Sequence, residues 1–240
     1  MLMLANSLLD GFLLSNGIGK GIVIGQLVSS VVMVAVIVGK FRELTFTERA
    51  MTRFLRDFQT GQDIMEYYIN RRPTICIAAE AIYKATCERL MKLFAPDMRA
   101  ILAGRPTEGA AAAALSSHEI ELVRGTCDHV LDEETIRVES SMSVVATVVS
   151  LSPMLGLLGT VWGVLDAFAA MGSAGSANLA TIAPSISSAL VTTVVGLLIA
   201  IPGVCAFSYL NSRIRRIGST LEGFADELMG RIKCEFGRSA

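Results

Sequence analysis

Two apolar stretches of this chain carry hydroxyls at helical spacing. Ser143, Thr147 and Ser150 stand at i, i+4 and i+7; Ser185, Ser188 and Thr192 stand at i, i+3 and i+7, with Thr193 beside them. On a helix each set falls along one face. Such a stripe has two uses: it cements one helix to another through hydrogen bonds, or it lines a hydrated path for an ion. Asp166 is the one charged residue between Ser140 and Ser212. A carboxylate there is either an interfacial residue in contact with water or an entrance-side attractor for cations. No Asp, Glu, His or Lys lies in the middle of either stretch. Hydroxyls do not bind and release protons near neutral pH. If this path conducts protons, the titrating group comes from another chain, and a single-span partner with an intramembrane Asp suffices.

The same stretches carry small residues and prolines that govern helix packing. Gly159 and Gly163 form a G-x-x-x-G, with Gly156 one turn earlier; Gly196 and Ala200 repeat the small-x-x-x-small spacing. Both patterns let a second backbone approach closely. Pro153 and Pro202 each remove a backbone hydrogen bond and open the helix locally. Pro184 is expected in the first turn of its helix, where a missing N–H costs little. Enzymatic chemistry finds no support: there is no Ser/His pair, no H-E-x-x-H and no pair of intramembrane carboxylates. No catalytic residue, metal ligand or cofactor is therefore assigned. His118 and His129 are eleven residues apart, three helical turns, too far to share an ion. Cys76, Cys87, Cys127, Cys205 and Cys234 show no C-x-x-C spacing and read as free thiols.

These residues need a membrane to position them. The chain has 240 residues, of which 52% are hydrophobic and 18% charged, and its mean hydropathy is +0.54. Soluble domains carry about 25% charge. A net charge of −1 offers nothing to nucleic acid. Residues 21–39 hold nineteen uncharged positions between Lys20 and Lys40, close to the roughly 20 that a helix needs to cross a bilayer. Gln26, Ser29 and Ser30 fit there if they face other helices. The 73 residues from Ser140 to Ser212 suit two spans, 141–168 and 183–210, joined by a small, polar turn at 169–182. Basic residues set the orientation. Fourteen Lys/Arg lie from Lys40 to Arg137, six follow the third span, and none lies in the turn. Residues 40–140 and 211–240 are thus expected in the cytoplasm, with the N-terminus and the turn outside. Residues 1–20 read as an interfacial helix on the outer face rather than a cleaved signal peptide.

The predicted fold class is an all-α membrane protein: three transmembrane helices with long cytoplasmic helical extensions. Met51, Phe54, Leu55, Phe58 and Met65 keep helical spacing, as do Ile75, Ala78, Ala79, Ile82, Thr86, Leu90 and Leu93. Pro73 and Pro96 punctuate these stretches, and 104–109 is a loop. A stripe of Ile120, Val123, Cys127, Val130, Leu131 and Val138 leads into the second span with no breaker, which predicts one long helix. Ile214, Ile217, Leu221, Phe224 and Leu228 extend the third span in the same way, and the extensions are expected to pack as a bundle. The run Asp132-Glu133-Glu134 reads as a solvated face.

Two ordered motifs resemble a known family. Ala146-Thr147 through Ser152-Pro153, Gly156-Leu157 and Gly159-Thr160-Val161-Trp162-Gly163 is similar to the second-span pattern of the MotA/TolQ/ExbB proton-channel family, ExbB/TolQ branch. Ala183-Pro184, Ile186, Ala189-Leu190, Thr193, Gly196-Leu197 and Ala200-Ile201-Pro202 is similar to its third-span pattern. The resemblance implies a homopentamer around an ExbD/TolR-like single-span dimer, whose Asp takes up and releases the ion. It implies that TonB or TolA is energised in turn, from the bacterial inner membrane. Thr147 and Thr193 match the threonines of the family's ion path, and the wider hydroxyl set is Ser150, Ser188 and Thr192. One residue departs: the family's usual Glu in the third span is Ser188 here. That leaves both H+ and Na+ open as the transported ion. The short N-terminus favours a TolQ-like over a long-armed ExbB form, and three spans rather than four disfavour a MotA-type stator. A non-conducting membrane scaffold would account for the small-residue packing equally well.

Overall fold

The computed structural model describes residues 17–60, 64, 78–102, 115–174 and 179–237; residues 1–16 of the segment expected before the first span, Met65, Pro73, Ile75, Cys76 and the 104–109 loop lie outside the described residues, while 17–20 open the first helix. The described part is helical: α1 Gly17–Thr60, α2 Ala78–Leu102, α3 Ser117–Glu139, α4 Met142–Ala174 and α5 Leu179–Phe236. Among the described residues, three stretches, Gly17–Gln59, Ser117–Ser173 and Ile182–Phe236, are long and apolar enough to cross a membrane.

The contacts divide the chain into two units, one drawn from Met1–Phe41 and Ser141–Asn211, the other from Arg42–Ser140 and Ser212–Ala240. In the first, the α1, α4 and α5 segments meet around Met33, Val145, Val148 and Ile199, with Val36, Ile37, Val149, Val195 and Phe207 packed against them. Its outer faces are apolar too: Val31, Val161, Leu165, Phe168, Leu198 and Ile201 are all exposed. A helix that is hydrophobic all round belongs in lipid. Gly203 fits against Val149 and Met33, where an added Cβ would lie 2.8 Å from Val149 Cγ2.

The second unit packs the remaining lengths of α1 and α5 with α2 and α3. Phe54, Phe58, Tyr83 and Phe224 form an aromatic cluster, with the Phe58 and Phe224 ring centres 5.2 Å apart and edge to face. Ile82, Leu90, Val123, Cys127, Leu221, Leu228 and Ile232 are buried around it. The Arg231 guanidinium lies 4.5 Å from the centre of the Phe58 ring and also donates to the Phe58 carbonyl at 3.3 Å. Burial pushes the Cys87 thiol up to about 12, so it stays protonated and serves as packing.

Several expectations are corrected. The stripe from Ile120 to Val138 does not continue unbroken into α4. Ser140 caps α3, its N–H donating to Arg137 O at 3.2 Å, and Ser141 takes φ 70°. That left-handed residue ends one helix before the next begins, and no Gly or Pro marks it in the sequence. The start of α3 is set by a capping box: Ser116 Oγ accepts from Glu119 N at 3.3 Å, while Glu119 Oε2 accepts from Ser116 N at 2.8 Å. Pro96 does not end α2, which runs on to Leu102. The turn expected from residue 169 is helical as far as Ala174, and α5 begins at Leu179, so Pro184 stands beyond its first turn. Glu134 is buried rather than solvated; its Oε1 accepts from Arg137 at 3.2 Å.

Candidate functional site

α4 and α5 approach so closely because α4 presents glycines at i, i+3 and i+7. A Cβ at Gly156 would lie 2.9 Å from Thr193 Cα, one at Gly159 2.7 Å from Thr192 Cβ, and one at Gly163 2.5 Å from Ala189 Cβ. Contacts that short are repulsive, so only glycine permits this crossing. Across the seam Thr193 Oγ1 donates to Gly156 O at 2.8 Å. Thr192 Oγ1 donates to Ala189 O at 2.7 Å and lies 3.4 Å from Gly156 O. Ser188 Oγ donates to Ser185 O at 3.1 Å. Thr192 and Ser188 are buried, and Thr193 is half-buried.

The second-span hydroxyls lie elsewhere. Thr147 is nine residues before Gly156, about 180° around the helix, and Ser150 is about 120° away. Both are exposed, and Thr147 Oγ1 donates to Ser143 O at 2.8 Å. The structure therefore brings Ser188, Thr192 and Thr193 to the seam and leaves Thr147 and Ser150 on the opposite surface of α4. Pro153 lies half-buried within α4; Pro184 and Pro202 are exposed on α5.

Asp166 joins the third-span hydroxyls. It lines a small crevice with Ser185, Ser188 and Thr192, to which Gly159, Trp162 and Gly163 of α4 and Gly19 of α1 also contribute. The sequence placed Asp166 and Ser188 on different helices; the packing of α4 on α5 puts them around one space.

Gln26 was foreseen only as a polar residue turned towards other helices. It is fully buried, and its Nε2 donates to Ser152 O at 3.1 Å. Gly196 fits beneath this pair: an added Cβ would lie 2.5 Å from Ser152 O and 2.9 Å from Gln26 Nε2. Three helices thus meet at one amide. Gln26 Oε1 is buried with no hydrogen-bond partner among the described residues. An amide within an otherwise apolar span is the signal that marks this residue.

In the second unit, Glu48 and Arg213 form a two-pronged ion pair. Arg213 Nε donates to Glu48 Oε1 at 3.1 Å, a second bond joins Nη2 to Oε2, and Nη1 donates to Thr45 Oγ1 at 3.2 Å. The hydrogen bond from Arg213 holds the Glu48 carboxyl below its usual value of 4.5.

Comparison with known proteins agrees with this architecture. Residues 99–223 match the MotA/TolQ/ExbB proton channel family. The chain is 31% identical over 225 residues to the Tol-Pal system protein TolQ of Haemophilus influenzae, an alignment covering 91% of this chain and 90% of that protein. It is 36% identical over 97 residues to TolQ of Pseudomonas aeruginosa, covering 40% and 42% of the two chains. With the biopolymer transport protein ExbB of Xanthomonas campestris pv. campestris it shares 34% identity over 108 residues, 45% of this chain and 43% of that one.

Proposed function

The chain belongs to the MotA/TolQ/ExbB proton channel family, and from that premise we propose that it is the channel subunit of an inner-membrane motor. The motor couples the proton motive force to an ExbD/TolR-like single-span partner dimer, and through it to TolA or TonB. The observation that carries this reading is the division of hydroxyls on α4 and α5. One set is bonded into the α4–α5 seam, while Thr147 and Ser150 face outwards. An exposed polar face on an apolar helix is costly against lipid. It is satisfied when another chain covers it and closes a wet path. The middle of the spans offers no group that titrates near neutral pH, so the carboxylate that carries the proton is the partner's. The assembly in this reading is a homopentamer around that dimer, as the family resemblance implies; an N-terminus outside and a C-terminus in the cytoplasm fit the basic-residue distribution.

A second reading, transport of Na+ rather than H+, is favoured by one observation: Asp166, Ser188 and Thr192 line the same crevice.

Co-expression with a single-span protein carrying an intramembrane Asp, followed by co-purification and native mass measurement, tests the assembly. A complex of five copies with two of the partner is expected. A chain that purifies from its native membrane with no acidic single-span companion would overturn the motor reading in favour of a scaffold.

A further inference from the structure

We propose that copies of this chain join head to tail through the second unit, an arginine face on α1 of one copy lying against an acidic face on α3 of the next. Such a joint rests on the homo-oligomer reading above and supplies the surfaces for it.

Arg42, Arg49 and Arg53 stand at i, i+7 and i+11 of α1, within an arc of about 40°. All three are exposed, opposite the buried Leu44 and Met51. On α3, Glu139, Asp132 and Asp128 repeat that spacing in the reverse direction, again within about 40°. They are exposed too, and turned away from the buried Val123, Cys127 and Glu134. None of the six makes an ion pair among the described residues. Each face points away from its own core, so the two cannot meet within one chain.

Between copies the rungs coincide. α3 runs against α5, since Leu115 bonds to Phe236 and Arg124 to Asp226. α1 runs with α5, since Glu48 pairs with Arg213 and the Phe58 carbonyl with Arg231. Copies related by rotation about an axis along the bundle therefore set α1 antiparallel to a neighbour's α3. Arg42 then faces Glu139, Arg49 faces Asp132 and Arg53 faces Asp128, at steps of about 10 and 16 Å along the helices. The level is right as well: counting along these pairs, Asp132 and Arg53 of one chain both lie level with Gly218. Pairing Asp132 with Arg49 instead needs a slide of one turn, about 6 Å. An apolar contact falls in the same register. Phe46, 55% exposed, is four residues beyond Arg42, and Ile136, 69% exposed, is three before Glu139. Each stands about 40–60° to one side of its stripe, and for antiparallel helices that is the same side.

Exposed ion pairs singly add little strength. They supply register and choice of face, because arginine against arginine is repulsive. Two unlike faces make a heterologous contact, which builds a ring rather than a twofold dimer.

The test uses the full chain in detergent, with native mass measurement along a dilution series. Arg49→Glu and Asp132→Arg should each raise the concentration at which the oligomer dissociates by on the order of tenfold or more. The double variant should return it to the parent value. Copies with Arg49→Cys, co-expressed with copies carrying Asp132→Cys, should be joined by a short bismaleimide into linked dimers. Arg49→Cys with Lys84→Cys on α2 should give only the parent's background. These crosslinks are the readout if the charge-reversed chains do not fold or the parent does not dissociate. Single reversals that assemble like the parent, a double variant no better than the singles, or crosslinks no more frequent than in the Lys84 control would each overturn the proposal. So would loss of co-purifying phosphatidylglycerol from Arg49→Glu with assembly unchanged, which gives the arginine face to anionic lipid. With a parent that is still oligomeric, any of these results leaves the homo-oligomer reading standing; a monomeric parent overturns both.

Discussion

The hydroxyl of Thr193 reaches across from α5 to the carbonyl oxygen of Gly156 on α4, at 2.8 Å. Gly156 is the residue whose missing side chain lets Thr193 come so near. One threonine is thereby both a seam residue and a candidate path residue. A hydrogen bond of this kind contributes about 1 kcal/mol net. Thr193→Val should lower stability by about that amount, leave assembly with the partner intact and abolish energised function, while Thr193→Ser restores function. Complementation together with pull-down of the partner checks this; full activity of Thr193→Val would remove the hydroxyl from the mechanism.

Glycines on different faces of the helices should respond oppositely to alanine. A Cβ at Gly159 meets Thr192, whereas one at Gly125 meets open space. Gly159→Ala should cost about 1–3 kcal/mol by overpacking. Gly125→Ala on α3 should stabilise by up to about 1 kcal/mol through helix propensity. Thermal unfolding of the two variants beside the parent measures the sign directly.

Gln26 offers a contrast between shape and polarity. Its Nε2 is bonded to Ser152 O, but Oε1 is buried without a partner among the described residues. Gln26→Leu loses one bond of about 1 kcal/mol and also removes an acceptor whose desolvation costs about 1–3 kcal/mol. It should be neutral or stabilising. Gln26→Ala leaves a cavity instead and should be the less stable variant by about 2 kcal/mol or more. The order of the two melting midpoints is the test, and Ala above Leu would contradict the packing described here.

The Glu48–Arg213 pair should appear in the acid limb of stability. Glu48 is held below 4.5 in the folded chain by the Arg213 hydrogen bond. Its unfolded form binds protons more readily, so its contribution is complete above the unfolded value near 4.5. It is lost as pH falls through the lower folded value. Glu48→Gln should flatten stability against pH in that acid window and leave the shape near neutrality unchanged. An acid limb of identical slope in the variant would show that the pair is not linked to folding.

Much of this architecture is determined by composition and order along the chain. Uncharged runs long enough to cross a bilayer place three apolar stretches, and hydrophobic spacing assigned Phe54, Phe58, Val123, Cys127, Leu221 and Leu228 to a core in which all of them are buried. These are one-dimensional properties, because transfer from water and helical period act on each segment alone. The break at Ser141 was not legible, since a serine at φ 70° has no local signature in the way a glycine does. Nor was the burial of Glu134, which depends on what packs against α3.

Tertiary structure decided which hydroxyls do what. Thr147 and Thr193 are equivalent by residue type, yet one lies exposed and the other is bonded to Gly156. Asp166 and Ser188 are twenty-two positions apart and share a crevice. The reason is geometric. Periodicity states which residues share a face of one helix, whereas the choice of facing helix and register comes from the contacts that glycines permit across the gap.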